Sequence, residues 1–307
     1  MTDNHLFCFD VLPVRPTPLP LESFNSYVKR LAQINGIPHI HAVIQMTDLS
    51  GYHFLSNTPP RFSFKRLPTI TALSVAQLLT MTFHHLGWKF GRHESLTAFL
   101  KKSVSPFVRY CPHCLQEKGY YSLDWSFLWL TGCPQHGVHL LDICGHCGQH
   151  IPLKNRHLSL YNCPFCQGDL RLSATTPLPP EQHQLCIQRQ DDLVYLLTEQ
   201  PWQKTQPEVV GAARQRLAAN RLIQQLTIPQ LASLLGTKRD SVMAIENETL
   251  SCIGELFRDY LLYIDHFGLT LSQVFKEATQ TGYIHKEQLR KDAFFSQVRE
   301  TVHALKQ

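Results

Sequence analysis

The stretch CPQHGVHLLDICGHC, from Cys133 to Cys147, carries metal-ligand residues at both of its ends. The ligands come in pairs with two residues between the members, and with that spacing a tight turn directs both side chains at one ion. Two further pairs flank the stretch. The four pairs are Cys111 and Cys114, Cys133 and His136, Cys144 and Cys147, and Cys163 and Cys166.

Joining consecutive pairs gives two sites of four ligands each, which suits tandem zinc ribbons. The first site, with three cysteines and His136, closes over the 18 residues between Cys114 and Cys133, and the second, with four cysteines, over the 15 between Cys147 and Cys163. Interleaved pairing, as in a RING-type cross-brace, is the alternative. The long GVHLLDI segment between His136 and Cys144 favours the consecutive arrangement.

The ligand set predicts two structural Zn²⁺ ions per chain. Zinc that activates water needs an open coordination position, and here protein side chains fill all four. We therefore predict no catalytic residues and no enzymatic activity. His136 is favoured over His139 as the fourth ligand of the first site because only His136 keeps the two-residue spacing from Cys133, although a wider turn would bring in His139.

Composition places the chain among globular proteins of the cytoplasm. Of its 307 residues, 43% are hydrophobic and 17% charged, without a run of apolar residues that could span a membrane and without the pattern of a signal peptide. Seven of the 10 cysteines lie between residues 111 and 166, so paired metal ligands are favoured over disulfides. The isolated Cys8, Cys186 and Cys252 are predicted to be small buried hydrophobes.

Charge is distributed unevenly along the chain. The net charge is +5, and residues 1–110 contain 11 Lys/Arg against 5 Asp/Glu. Such an excess suits a surface for nucleic acid or an acidic partner, and equally a solvated basic face.

The periodicity predicts a mainly α protein with small β zinc ribbons. Residues 1–105 form a helical domain. Within it Pro20 suits the first position of a helix that Gly36 ends, residues 38–49 form a second helix, Gly51 to Pro68 a loop, and Ser74 with Gln77 a capping box before a helix ending near Gly87. Short β-type runs broken by turns fill the ribbon domain, residues 106–172. Residues 173–205 are a linker and connecting helix, in which 173–182 read as linker by composition, and residues 206–307 are a second helical domain.

The segment LTIPQLASLLGTKRDSVMAIENETL, Leu226 to Leu250, resembles a helix-turn-helix of the Cro/repressor type. Leu231, Ala232 and Leu235 face inward, Gly236 makes the turn, and Val242 and Ile245 anchor the second helix. The resemblance places that helix in the DNA major groove. Its candidate contact residues are Lys238, Arg239, Ser241, Met243 and Ala244. Ile228, Pro229 and the negative Asp240 depart from the repressor pattern, which favours a domain that docks on protein.

Two stretches resemble the TniQ/TnsD family of transposon target-selection proteins: PTPLPLESFNSYVKRLAQINGI, from Pro16, and RYCPHCLQEKGYYSLDWSFLWLTGCPQHGVHLLDICGHCGQHI, from Arg109. The resemblance covers roughly residues 10–170. It implies an N-terminal domain that is helix-turn-helix-like, followed by tandem zinc ribbons.

The resemblance also implies a function. Family members are adaptors that connect a target-recognition device to the AAA+ ATPase TnsC, which recruits the transposase. The short length and the weakened recognition helix favour an adaptor of a CRISPR-associated transposon, bound to a Cascade-type effector complex near target DNA and able to form a homodimer. The alternatives are a TnsD-type protein that binds its DNA site directly, and a helix-turn-helix transcription factor.

Overall fold

The computed structural model describes residues 11–47, 57, 64–84, 86, 99–198, 207–247 and 257–274. The chain divides into two compact units, Met1–Lys204 and Thr205–Gln307. The prediction of a mainly helical protein is confirmed. No helix of the described ranges combines the length and apolar character needed to cross a membrane.

The first unit begins with helices α1, Phe24–Ile34, and α2, Ile40–Thr47. Helix α1 starts at Ser23, whose hydroxyl accepts a hydrogen bond from the Ser26 N–H, and Gly36 at φ +64° follows its end. The predicted start at Pro20 is wrong because Leu21 adopts φ +57°, which separates the proline from the helix. One face of α1 is buried in the core through Phe24, Tyr27, Val28 and Leu31.

Two short helices complete this core, α3 (Leu67–Thr71) and α4 (Val75–Leu79). The predicted loop is wrong at Pro68, which stands in the first turn of α3, while residues 51–56 and 58–63 lie outside the described residues. The capping box of Ser74 and Gln77 is confirmed. Helix α4 ends earlier than predicted, and the Met81 carbonyl beyond it accepts from the Phe24 N–H at 2.8 Å, tying this turn to the start of α1.

The ligand-bearing segment contains less β-structure than predicted. Its one ladder pairs β1 (Gly132–Cys133) with β2 (Val138–His139), antiparallel, with Gly132 opposite His139. A helix, α5 (Pro112–Lys118), stands where a β-type run was expected because Pro112 occupies its first turn and Gly119, at φ +73°, ends it. Isolated β-bridges, such as the one between Tyr110 and Leu141, connect the remaining loops.

This segment and the N-terminal helices pack into the same unit. The Ser23 N–H donates to the Tyr121 carbonyl at 2.9 Å, and the Tyr120 hydroxyl donates to the Pro20 carbonyl at 2.8 Å. The Tyr121 hydroxyl reaches the Leu160 carbonyl at 2.6 Å. Four aromatic residues of this segment, Tyr120, Tyr121, Trp125 and Phe127, are buried, and Phe127 contacts Phe83 edge-on with ring centroids 5.5 Å apart.

The linker predicted over residues 173–182 is wrong: residues 173–179 lie along the hairpin, and residues 180–182 already belong to the next helix. The His139 N–H donates to the Thr176 carbonyl at 2.9 Å, and the Leu178 N–H to the Gly137 carbonyl at 2.7 Å. A Cβ on Gly132 would lie 2.2 Å from Leu178 Cδ1, so a larger residue there would displace the Leu178 side chain. The predicted connecting helix follows as α6, Pro180–Thr198, with Cys186 buried as expected; Cys8 and Cys252 lie outside the described residues.

The second unit contains helices α7 (Pro207–Ile223), α8 (Ile228–Leu234), α9 (Arg239–Glu246) and α10 (Phe257–His266). Leu231, Ala232, Val242 and Ile245 are buried as predicted, whereas Leu235 is only partly buried. Gly236, at φ +60°, lies in the turn between α8 and α9.

An ion pair joins α7 to α9. The Arg221 guanidinium donates to both carboxylate oxygens of Glu246, at 2.6 and 2.7 Å, and the Tyr263 hydroxyl of α10 donates to the same carboxylate at 2.8 Å. Three helices of the unit therefore meet at one buried carboxylate.

Candidate metal centres

The structure brings the eight predicted ligands together as two separate foursomes. Cys111, Cys114, Cys133 and His136 form the first, and their ligand atoms all lie within 4.8 Å of one another. The second consists of Cys144, Cys147, Cys163 and Cys166, within the same limit. This is the consecutive arrangement. The interleaved alternative is wrong because it would join the first pair to the third and the second to the fourth, whereas the ligand atoms that lie together are those of the first and second pairs and those of the third and fourth.

The first centre is built from a helix start and a hairpin turn. Cys111 precedes α5 and Cys114 lies in its first turn, so the helical backbone sets the angle between their sulfurs. Cys133 ends β1, and the Gly137 N–H donates to its carbonyl at 2.9 Å. Gly137, at φ +61°, closes the turn that carries His136 back towards Cys133.

Two matching turns build the second centre. The Gly148 N–H donates to the Cys144 carbonyl at 2.9 Å, and the Gln167 N–H to the Cys163 carbonyl at 3.0 Å. Backbone N–H groups also point at sulfur: that of His146 lies 3.4 Å from Cys144 Sγ. Such donors stabilise thiolates, which is the protonation state that binds metal.

The distances fit a tetrahedral ion. Tetrahedral zinc with bonds of about 2.3 Å to sulfur separates neighbouring sulfurs by about 3.8 Å. Cys144 Sγ lies 3.7 Å from Cys166 Sγ, and Cys147 Sγ lies 3.8 Å from Cys163 Sγ. In the first centre His136 Nδ1 lies 3.6, 3.2 and 3.5 Å from the sulfurs of Cys111, Cys114 and Cys133. Both foursomes can hold a metal ion.

The protonation of the cysteines in the first centre also favours binding of a cation. Hydrogen bonds with Cys114, which has the larger effect, and with Cys133 lower the pKa of Cys111 to about 3. The hydrogen bond between Cys114 and Cys111 raises the pKa of Cys114 in turn, because a proton held there stabilises the neighbouring thiolate. The proton held at Cys114 has to leave before both sulfurs can bind metal as thiolates, and a divalent cation between them would compensate the added negative charge.

Glu117 orients the histidine ligand, and the sequence analysis missed it. His136 Nε2 lies 2.9 Å from Glu117 Oε1, which leaves Nδ1 turned towards the sulfurs. Gln135 Nε2 donates to the other carboxylate oxygen at 2.8 Å. Glu117 lies one helical turn after Cys114 in α5, and this spacing was the available signal.

The remaining histidines of this segment lie outside the foursomes. His139 is in β2, where its N–H pairs with Thr176. His146 Nε2 lies 2.7 Å from the Asp169 carbonyl, and His150 Nδ1 lies 3.1 Å from the Asp142 carbonyl. The His113 ring packs on that of His136, with centroids 5.2 Å apart.

The predicted DNA contacts belong to the second unit, at the start of α9. Lys238 and Arg239 are exposed, as is Asp240 beside them. Ser241, Met243 and Ala244 are partly buried, so only part of each of these candidate contact residues is accessible. Their role in DNA binding stays a prediction.

Residues 13–140 match the family model TniQ. The chain carries a TniQ domain. The family predicted from the sequence motifs is thereby confirmed over these residues. The TniQ match includes all four ligands of the first centre and stops before Cys144, so the second centre lies beyond it. A comparison with curated proteins gives no match.

Proposed function

We propose that this protein is a non-enzymatic adaptor in DNA transposition. It links a target-recognition complex, an RNA-guided effector of the Cascade type, to the AAA+ regulator TnsC and through it to the transposase. The observation that carries the proposal is the TniQ domain at residues 13–140, which associates the chain with transposition. The proposal also includes two structural Zn²⁺ ions, a cytoplasmic location and a homodimer.

Packing in the first unit supports a role in presenting surfaces to partners. The Leu123 N–H donates to the Leu21 carbonyl at 2.7 Å, so the ligand-bearing segment lies directly on the residues before α1. Bound metal would fix this segment, because modules with little core derive their folding energy from the metal. The ions act as braces: four protein ligands per ion leave no position for substrate.

A second candidate function is direct DNA recognition, either as a TnsD-type selector or as a transcription factor. Helices α8 and α9 support it, since we interpret them with their intervening turn as a helix-turn-helix. Exposed Lys238 and Arg239 would contact phosphates at the start of α9, and Asp240 opposes them. The negative charge of Asp240 weakens phosphate binding at this helix start, and this favours the adaptor function over direct DNA recognition.

Co-purification tests the adaptor against the DNA reader. Full-length protein expressed with a Cascade complex and TnsC encoded beside its gene should retain both partners through size-exclusion chromatography. The isolated protein should bind duplex DNA weakly and without sequence preference at physiological salt. Site-selective binding of DNA by the isolated protein with nanomolar affinity, and no retention of Cascade, would establish the second function instead.

A further inference from the structure

A cleft in the first unit, whose lining includes none of the eight predicted metal ligands, carries basic and imidazole side chains. It has a volume of about 410 Å³ and lies between the start of α2 and residues 156–159. His39 and His41 come from the helix side, and Arg156 and His157 from the other. The two chain segments that form it, 37–47 and 150–162, contain neither aspartate nor glutamate.

The polar side chains of the cleft have unused hydrogen-bonding capacity. The side chains of Arg156, His39 and His41 are exposed, and among the described residues none of these three side chains forms a hydrogen bond or an ion pair. His157 Nε2 is buried and likewise lacks a partner within the described ranges. A buried ring nitrogen without a partner costs free energy, which a ligand oxygen would recover.

A buried cation adds positive potential behind this wall. Lys29 of α1 is 2% exposed, and its Nζ donates to Asn155 Oδ1 at 3.2 Å. The same oxygen accepts from the His157 N–H at 3.1 Å, so the lysine is coupled to the loop that carries His157. Among the described residues no carboxylate pairs with this ammonium, and its charge is not cancelled locally.

The start of helix α2 also contributes positive potential to the cleft. The first N–H groups of a helix have no partner inside the helix, and the aligned peptide dipoles place positive charge there. Helix α2 begins at Ile40, between the two exposed histidines. Arginine, imidazole N–H groups and a helix start together provide the donors that bind a phosphate oxygen.

We propose that the cleft between His39, His41, Arg156 and His157 binds a phosphate group, carried either by the backbone of a nucleic acid or by a free nucleotide. Arg156 supplies the charged donors at the mouth, and His157 Nε2–H donates from the wall. The buried Lys29 attracts the anion without contacting it. The site is separate from the metal centres and does not depend on the adaptor function.

Titration of the full-length protein by NMR tests the site, with its histidine rings labelled with ¹³C. Inorganic phosphate should shift the ring signals of His39, His41 and His157 saturably. Arg156→Gln should weaken binding about tenfold, the effect of losing one charged hydrogen-bonding partner. Arg15→Gln is the matched control, since it removes an exposed arginine that does not line the cleft, and it should leave the affinity unchanged. Both variants should keep the metal content of the parent protein.

Two further probes identify the source of the phosphate. If a short single-stranded oligonucleotide binds at least about tenfold more tightly than a nucleoside monophosphate, and displaces it, the cleft serves nucleic acid. If the monophosphate binds as tightly or more tightly, it serves a free nucleotide. Shifts that rise linearly with phosphate and never saturate, or equal weakening by Arg15→Gln and Arg156→Gln, would overturn the proposal.

Discussion

Glu117 Oε1 lies 2.9 Å from His136 Nε2, and the other ring nitrogen, Nδ1, faces three cysteine sulfurs. The carboxylate therefore fixes both the tautomer and the orientation of the ring. This contact joins helix α5 to the hairpin turn, which are the two elements that supply the first foursome. The geometry of the centre thus depends on a residue that is not itself a ligand.

Glu117→Gln is expected to weaken zinc binding at the first centre by about 10- to 100-fold, the usual effect of removing a carboxylate behind a histidine ligand. Competition with a chelator of known affinity measures the change. Glu181→Gln, an exposed substitution in α6, is the control and should have no effect. Equal metal retention by both variants would show that the carboxylate does not support the ligand.

Cys133→Ser is expected to release one metal ion per chain and leave the other bound, because the foursomes share no ligand. Inductively coupled plasma mass spectrometry of the purified protein gives the stoichiometry. Cys186→Ser alters a buried cysteine outside both foursomes and should retain both ions. Loss of both ions from Cys133→Ser would mean that the two centres fold as one.

The buried Lys29 makes the stability of the first unit depend on pH. Burial lowers its pKa from 10.5 to about 8, so the folded state binds this proton less tightly than the unfolded chain does. Between these two values the unfolded state holds more protons, and stability therefore rises with pH by up to about 3 kcal/mol. Lys29→Met should be more stable than the parent protein at pH 7, and the difference should shrink by pH 10.

Urea denaturation at pH 7 and pH 10, followed by the fluorescence of Trp125 and Trp129 in the same unit, measures this difference. Lys118→Met changes an exposed lysine and serves as control, with no pH-dependent gain expected. If Lys29→Met and the parent protein respond identically to pH, the buried lysine keeps its ordinary pKa.

Glu246→Gln is expected to destabilise the second unit by about 3 kcal/mol, because Arg221 would keep its buried charge without a partner. Hydrogen exchange of α7 to α10 in the full chain detects the loss as reduced protection. Replacing both partners with apolar residues, Arg221→Met with Glu246→Leu, should restore most of the protection. A double variant that is as weakly protected as Glu246→Gln would contradict this explanation.

The predictions from local sequence patterns are confirmed where interactions between residues close in the sequence determine the structure. The capping box of Ser74 and Gln77 and the glycine stop at Gly36 both depend on residues within a few positions of one another. The same patterns failed at Pro20 and at residues 173–179. There, hydrogen bonds with residues distant in the sequence override the composition of the segment.

The sequence by itself determined the ligand inventory, because a two-residue spacing brings a pair of side chains to one side of a turn whatever surrounds it. Only the tertiary structure decided which pairs share a centre, that Glu117 supports His136, and that Arg156 meets His39 and His41 across a cleft. These relationships join residues from 16 to 117 positions apart. Spacing along the chain carries no information about such distances, since the path of the backbone between the partners is set by packing.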